Sequence, residues 1–206
     1  MTSDAQVSRR ELLKRLGMAG AVALALSEFD RVLAFQRDVL KGGMAPAGVL
    51  SAADAATLRA VCARIIPTDE TGPGAVEARA SEYIDRALGG WLAPSREEYT
   101  TGLAAVEGAA RTRGAGRFVD LAPADQDAVL RTLEETTFFE LVRTHTIQGT
   151  FCDPVYGGNA NFVGWDLIGY PGVRLNVTAA DQRMGAPAKP IRRSAYDYAM
   201  FAAGAH

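Results

Sequence analysis

The 206-residue sequence has little of the side-chain chemistry from which redox and metal centres are built. It contains two cysteines and two histidines, and these residues show neither a CxxC nor an HxxxH spacing. That set provides no CxxCH motif for covalent haem, no four-cysteine iron–sulfur cluster and no zinc site. A GxGxxG nucleotide fingerprint is also missing. We therefore predict no catalytic, cofactor-binding or metal-binding residues in this chain.

Long apolar runs and an excess of one charge are absent as well. The 22 Lys and Arg residues nearly balance the 24 Asp and Glu residues, which leaves a formal net charge of −2. This balance gives no reason to expect nucleic acid or an anionic lipid surface as a partner. No run approaches the roughly 20 apolar residues that a membrane-spanning helix requires. Membrane association would therefore have to come through another subunit.

The N-terminus carries a paired-arginine pattern followed by a short apolar stretch over residues 16–26. This order is typical of a twin-arginine export signal, and the alternative is the basic start of an ordinary amphipathic helix. We predict a signal region over residues 1–34, a single domain over residues 35–206, and a periplasmic protein that uses the twin-arginine translocase. Weak cleavage sites near residues 27 and 34 leave open whether the signal is removed. The signal residues are Arg9, Arg10, Leu12, Leu13 and Lys14.

Apolar residues recur at helical spacing through the middle of the chain, and no period-two alternation continues for more than a few residues. Capping patterns beginning at Ser51 and Ser95 mark two helix starts, and Pro123 marks a third. The pattern predicts five helices, which lie between Ser51 and Pro67, from about Val76 to Gly89, after Ser95, from Pro123, and from Phe138 to about Thr146. The predicted fold class is mainly α.

Residues 150–173, called the Gly/aromatic segment below, have neither helical nor strand period. Five glycines alternate there with large aromatic side chains, so we expect tight bends that repeatedly redirect apolar groups. Such a segment must pack against this chain's own core or against a partner. The complete prediction is a small helical domain, then this irregular segment, then an extended C-terminal tail. The alternating residues are Phe151, Tyr156, Gly157, Gly158, Phe162, Gly164, Trp165, Gly169, Tyr170 and Gly172.

The two cysteines, Cys62 and Cys152, allow two interpretations. In an exported chain an even number of cysteines suggests a disulfide. Closing a loop of about 90 residues would stabilise the fold by roughly 4–5 kcal/mol in the chain-entropy model. The alternative is two buried thiols, because Cys62 lies on the apolar face of a predicted helix.

His145 is the only histidine within the predicted helical region, since His206 is the last residue. Its neighbours offer hydrogen bonds but no nucleophile and no acid dyad. We interpret it as a structural or interface histidine. An enzyme that pairs His145 with a carboxylate is the alternative.

Several short motifs follow one another in a fixed order and carry a family resemblance. They are Cys152-Asp153-Pro154, Tyr156-Gly157-Gly158-Asn159, Gly164-Trp165 and Leu167-Ile168-Gly169-Tyr170-Pro171-Gly172. From roughly residue 50 to the C-terminus the chain resembles the gluconate 2-dehydrogenase subunit 3 family. That resemblance implies a non-catalytic small subunit of an exported dehydrogenase complex, with FAD on a large glucose–methanol–choline-type subunit and, in many complexes, haem c on a cytochrome subunit. It also implies that the small subunit escorts a flavoprotein without its own signal through the export pore.

The same segment is our candidate partner-binding surface. Aromatic side chains dominate interface energetics, and glycines let another backbone approach closely. Packing of the aromatic rings onto this chain's own helices is the alternative. A stand-alone exported binding or assembly protein is the alternative function. The predicted partner-binding residues are Tyr156, Gly157, Gly158, Asn159, Phe162, Trp165, Tyr170 and Pro171.

Overall fold

A computed structural model describes residues 48–179, 181–183, 185 and 189–202. The predicted signal region over residues 1–34, with Arg9, Arg10, Leu12, Leu13 and Lys14, lies outside the described residues, as does His206. The family resemblance falls almost entirely within them.

The described residues form seven α-helices and no strand, which confirms the mainly α prediction. None of these helices is both long enough and apolar enough to cross a membrane. Short 3₁₀ turns connect several of them, at Ala93–Ser95, Phe118–Asp120, Pro154–Tyr156, Ala160–Phe162 and Ala195–Asp197. The helices are α1 Ala52–Ile65, α2 Ala80–Gly89, α3 Arg96–Thr112, α4 Pro123–Arg131, α5 Thr137–Phe151, α6 Val163–Leu167 and α7 Ala199–Ala202.

The start of α1 follows the capping pattern in the sequence. The hydroxyl of Ser51 accepts a hydrogen bond from the backbone N–H of Asp54 at 3.1 Å, which pairs one of the free donors at the helix start. The helix ends at Ile65, just before Pro67, because a residue that precedes proline avoids the helical conformation. Its buried face consists of Thr57, Leu58, Val61 and Cys62.

Two predicted boundaries and one predicted cap are wrong. Helix α2 begins at Ala80 and not near Val76, because Arg79 has the left-handed φ of 58° and residues 75–79 form turns. Helix α3 begins after Ser95 as predicted, but the Ser95 side chain makes no cap hydrogen bond, because that residue ends the Ala93–Ser95 turn. Helix α5 continues to Phe151 and so enters the Gly/aromatic segment.

The core lies among α1, α2, α3 and α5, and α5 packs against each of the other three. Its largest fully enclosed side chains include Tyr99 and Phe118. Gly102 on α3 faces Phe138 on α5 so closely that an added Cβ would overlap the ring. Near the other end of α5, Gly149 also lies close to Tyr83 and Ala80, which positions the half from which the Gly/aromatic segment emerges.

Candidate interaction site

Asn159 organises the Gly/aromatic segment from a completely buried position. Its Nδ2 donates to the carbonyl oxygen of Cys152 at 2.9 Å. Its Oδ1 accepts from the backbone N–H groups of Gly164 at 2.8 Å and Trp165 at 3.4 Å. Asn159 has a positive φ of 43°, which asparagine tolerates better than most residues. The Asn159 side chain therefore connects the end of α5 to the start of α6 through hydrogen bonds.

The backbone of the segment lies directly on α5 and on the turn that precedes α2. Asn159 N–H donates to the carbonyl of Gly149 on α5 at 2.8 Å, and Ala160 N–H donates to that of Ala78 at 3.1 Å. A Cβ at Gly158 would overlap the Gly149 carbonyl, and a Cβ at Gly164 would overlap the Thr150 carbonyl. These two glycines are therefore required for close contact within this chain, and Gly157 is required for its left-handed φ of 89°.

Trp165 is also packed within this chain, with only 6% of its surface exposed. Its indole Nε1 donates to the carbonyl of Phe151 at 3.0 Å. Its ring lies 5.3 Å from that of Phe162 and meets that of Tyr170 edge-on at 5.0 Å. For Trp165 and Asn159 the geometry thus favours self-packing, the alternative to partner binding that the sequence left open.

The outer part of the segment is apolar and exposed. Tyr170 is 41% exposed and Ile168 is 58% exposed, while Tyr156, Phe162 and Pro171 are half-buried. Ile168 was not among the predicted partner-binding residues. A single isoleucine beside a glycine carries no periodic signal, so only the fold reveals that it points outward.

Two apolar cavities adjoin the segment, and Phe151 borders both. The first has a volume of about 400 Å³ and is lined by Tyr83, Trp91, Ile147, Gln148, Phe151, Cys152 and Tyr156. The second has a volume of about 410 Å³ and is lined by Phe151, Asp153, Trp165, Ile168, Tyr170 and Val173. The sequence pattern did not indicate the first cavity, because Tyr83 and Trp91 come from a region more than 50 residues before the segment.

The C-terminal tail is tied to the segment by polar contacts. Ala195 N–H donates to Oδ2 of Asp153 at 2.8 Å. The hydroxyls of Tyr196 and Tyr156 lie 3.0 Å apart. The hydroxyl of Tyr198 donates to the carbonyl of Val173 at 3.1 Å. The predicted extended tail is therefore part of the site.

His145 is buried in the core beside Tyr99. Its Nδ1 lies 2.9 Å from the Tyr99 hydroxyl, the two rings are stacked with an interplanar angle of 11°, and Trp91 packs against the imidazole edge. Burial lowers the pKa of His145 to about 4, so the ring is neutral at neutral pH. No group of three or more His, Cys, Asp and Glu side chains in the described ranges is placed to hold a metal ion. This geometry supports the structural interpretation of His145.

The predicted disulfide requires correction, because Cys62 and Cys152 are both free thiols. Cys62 Sγ lies 3.3 Å from the Thr146 hydroxyl, whereas Cys152 caps α5 six residues further on. Along α5, Cys152 thus lies about 9 Å beyond the residue that Cys62 contacts. Burial raises the pKa of Cys62 to about 12 and that of Cys152 to about 11. Asn159 and side-chain packing hold the segment to the body, and no disulfide links Cys62 to Cys152.

Taken together, the fold and the site define an all-α domain that supports an irregular, partly exposed aromatic surface. The family model for gluconate 2-dehydrogenase subunit 3 matches residues 52–172, which is more than half of the chain. The chain belongs to the gluconate 2-dehydrogenase subunit 3 family. Membership of a subunit family implies a complex of several subunits. No curated protein and no solved structure matches the chain.

Proposed function

We propose that this chain is the non-catalytic small subunit of a periplasmic FAD-dependent dehydrogenase complex that oxidises gluconate, another sugar or an alcohol. The large subunit, of the glucose–methanol–choline type, holds the FAD. A cytochrome c subunit is a further partner in complexes that pass electrons to the respiratory chain. The small subunit also escorts the large one through the twin-arginine translocase. Family membership over residues 52–172 is the observation that carries this proposal.

Two sequence features support the escort role. The paired-arginine pattern provides an export signal, and this route carries folded cargo, so a subunit without a signal can travel with one that has it. The sequence also lacks the haem, iron–sulfur and nucleotide motifs from which a redox centre would be built. The redox chemistry of such a complex would therefore reside in the partner subunits.

The outer face of the Gly/aromatic segment is the docking surface that we propose for the large subunit. Ile168 and Tyr170 are both exposed and line the same cavity, and Phe162 and Pro171 are half-buried residues of the same segment. An exposed cluster of large apolar side chains on a folded domain marks an interaction site more often than isolated apolar residues do. The buried Trp165 behind Tyr170 keeps that ring in place, at a centroid distance of 5.0 Å.

The escort role is tested by changing both Arg9 and Arg10 to lysine and locating both subunits after cell fractionation. We expect this chain and the flavoprotein to remain in the cytoplasm together. Arg15→Lys is the matched control, because it makes the same conservative change just beyond the pair and should leave export intact.

Arrival of the flavoprotein in the periplasm without its escort would refute the escort role. Export of this chain with no co-purifying flavoprotein would instead favour the stand-alone exported protein.

A further inference from the structure

The first apolar cavity has the properties of a small-molecule site. Its volume of about 400 Å³ is within the usual range of about 300–1,000 Å³ for such sites. Aromatic side chains form most of its wall: Trp91 and Tyr83 pack against each other with ring centroids 6.5 Å apart, and Phe151 and Tyr156 complete it. Gln148 is an exposed polar residue in the lining.

Tyr83 combines an almost fully buried ring with a hydroxyl that is not sealed from solvent. The residue is 6% exposed, and its hydroxyl makes no hydrogen bond within the part of the chain that the structure describes. Among those residues, only Arg174 Nε is both sealed from solvent and unpaired, so the Tyr83 hydroxyl must retain contact with open space. Tyr83 is one of the residues that line the cavity, and we infer that its hydroxyl opens there. A hydroxyl that opens into an apolar cavity and has no partner among the described residues is free to donate to a molecule that enters the cavity.

Burial raises the pKa of Tyr83 well above its ordinary value. The hydroxyl is therefore protonated at any physiological pH and available as a hydrogen-bond donor.

We propose that this cavity binds a small, planar, mainly apolar organic molecule whose carbonyl oxygen accepts a hydrogen bond from Tyr83. The aromatic walls provide flat apolar contact for the ring of the ligand. The Tyr83 hydroxyl selects for an oxygen acceptor, because an otherwise similar hydrocarbon would leave that donor unpaired. This inference does not depend on the proposed export role.

The test titrates the full chain with acetophenone and with ethylbenzene, two probes of similar size that differ in the carbonyl oxygen. Binding is followed by NMR through the Ile147 methyl and the Trp91 indole N–H, which belong to residues lining the cavity. The methyl of Ile168, which lines the second cavity and not the first, is the internal control. We expect both probes to shift the Ile147 and Trp91 signals and to leave Ile168 unchanged.

Tyr83→Phe is the decisive variant. It should reduce the ratio of acetophenone affinity to ethylbenzene affinity by about tenfold, the value of one well-formed hydrogen bond. The variant should fold normally, because the hydroxyl that it removes makes no hydrogen bond to the residues that the structure describes. Its urea unfolding midpoint verifies this directly.

Three results would overturn the proposal. The first is no shift at Ile147 or Trp91 with either probe at millimolar concentration. The second is the same affinity ratio in Tyr83→Phe as in the wild type, which would show a cavity without polar selectivity. The third is loss of acetophenone binding once the co-purifying subunit is added, because a partner side chain would then be the occupant.

Discussion

The helical body and the Gly/aromatic segment are held together in different ways. In α1 to α5 the buried residues repeat at helical spacing. The stability of the body therefore comes from many apolar contacts, each of which contributes a modest amount. In residues 150–173, few side chains are fully buried, and Asn159 supplies three of the hydrogen bonds that connect α5 to α6. Stability in the body is distributed, whereas in the segment it is concentrated in Asn159, Trp165 and two close-packed glycines. The two kinds of construction respond differently to single substitutions.

The largest effect should come from Trp165→Ala. We expect it to lower the free energy of unfolding of the isolated chain by roughly 3–5 kcal/mol, because a large buried ring and its hydrogen bond to Phe151 are lost. Urea unfolding followed by circular dichroism measures this change. Tyr170→Ala is the control and should cost about 1 kcal/mol or less, since that side chain is largely at the surface. Unchanged stability with loss of partner binding would make Trp165 an interface anchor after all.

Asn159→Ala should have the second-largest effect. We expect it to lower the free energy of unfolding by roughly 3 kcal/mol, because it leaves a buried carbonyl and buried N–H groups unpaired. Asn161→Ala is a closely matched control. Asn161 also has a positive φ, of 55°, but it is exposed and makes no side-chain hydrogen bond. The difference between the two variants in urea unfolding isolates the side-chain hydrogen bonds from the backbone cost. Equal losses would mean that those bonds contribute nothing.

In the body, His145 should make stability depend on pH. The folded state keeps this ring neutral down to a pKa of about 4, whereas the unfolded chain takes up the proton near the ordinary pKa of 6.5. Stability from this group is therefore complete above pH 6.5 and falls as the pH decreases towards 4. Between pH 7.5 and 4.5 the loss should be about 2–3 kcal/mol. His145→Gln, which cannot titrate, should show a correspondingly smaller difference when both proteins are unfolded in urea at the two pH values. An identical pH difference in both proteins would show that His145 does not titrate in this way.

The two thiols, Cys62 in the body and Cys152 at the start of the segment, should differ by about tenfold in reactivity. Iodoacetamide attacks the thiolate, and the pKa values of about 12 and 11 leave Cys62 with about one tenth of the thiolate of Cys152 at pH 8. Mass spectrometry after timed alkylation measures both rates, and urea-unfolded protein is the control in which both should react quickly. If the peptides that contain Cys62 and Cys152 were found linked under non-reducing conditions, the disulfide would form after all.

The smallest effect on stability belongs to the outer face of the segment. Ile168→Ser should change the free energy of unfolding by less than about 0.5 kcal/mol, because the side chain is 58% exposed. It should nevertheless reduce co-purification with the flavoprotein. Val177→Ser is the control, since Val177 is 60% exposed and lies outside the segment. Equal co-purification of the two variants would place the partner surface elsewhere.

Much of the body could be predicted because its signals are local. Ser51 and the periodic apolar residues after it define α1, and Pro123 occupies the first turn of α4 as expected. The boundary at Ala80 could not be predicted. It depends on Arg79 taking a left-handed conformation, which the apolar spacing around Val76 does not indicate. The predicted disulfide failed for a similar reason, since the number of cysteines says nothing about the distance between them.

For the site, the sequence located the segment but not the role of each residue within it. Alternating glycines and aromatics indicate tight bends and a packed surface wherever they occur. They do not tell which rings face inward, because no period relates Trp165 to Ile168.

The amino-acid sequence by itself therefore determined the helical class of the protein, its family and the position of the special segment. The helical class and the position of the segment follow from spacing along the chain, and the family follows from the resemblance of its ordered motifs. The tertiary structure alone decided that Asn159 and Trp165 are buried, that Ile168 and Tyr170 are exposed, and that Tyr83 shares a cavity with Phe151. Those outcomes depend on contacts between residues far apart in sequence. Such contacts form only when α2, α5 and the segment have packed together.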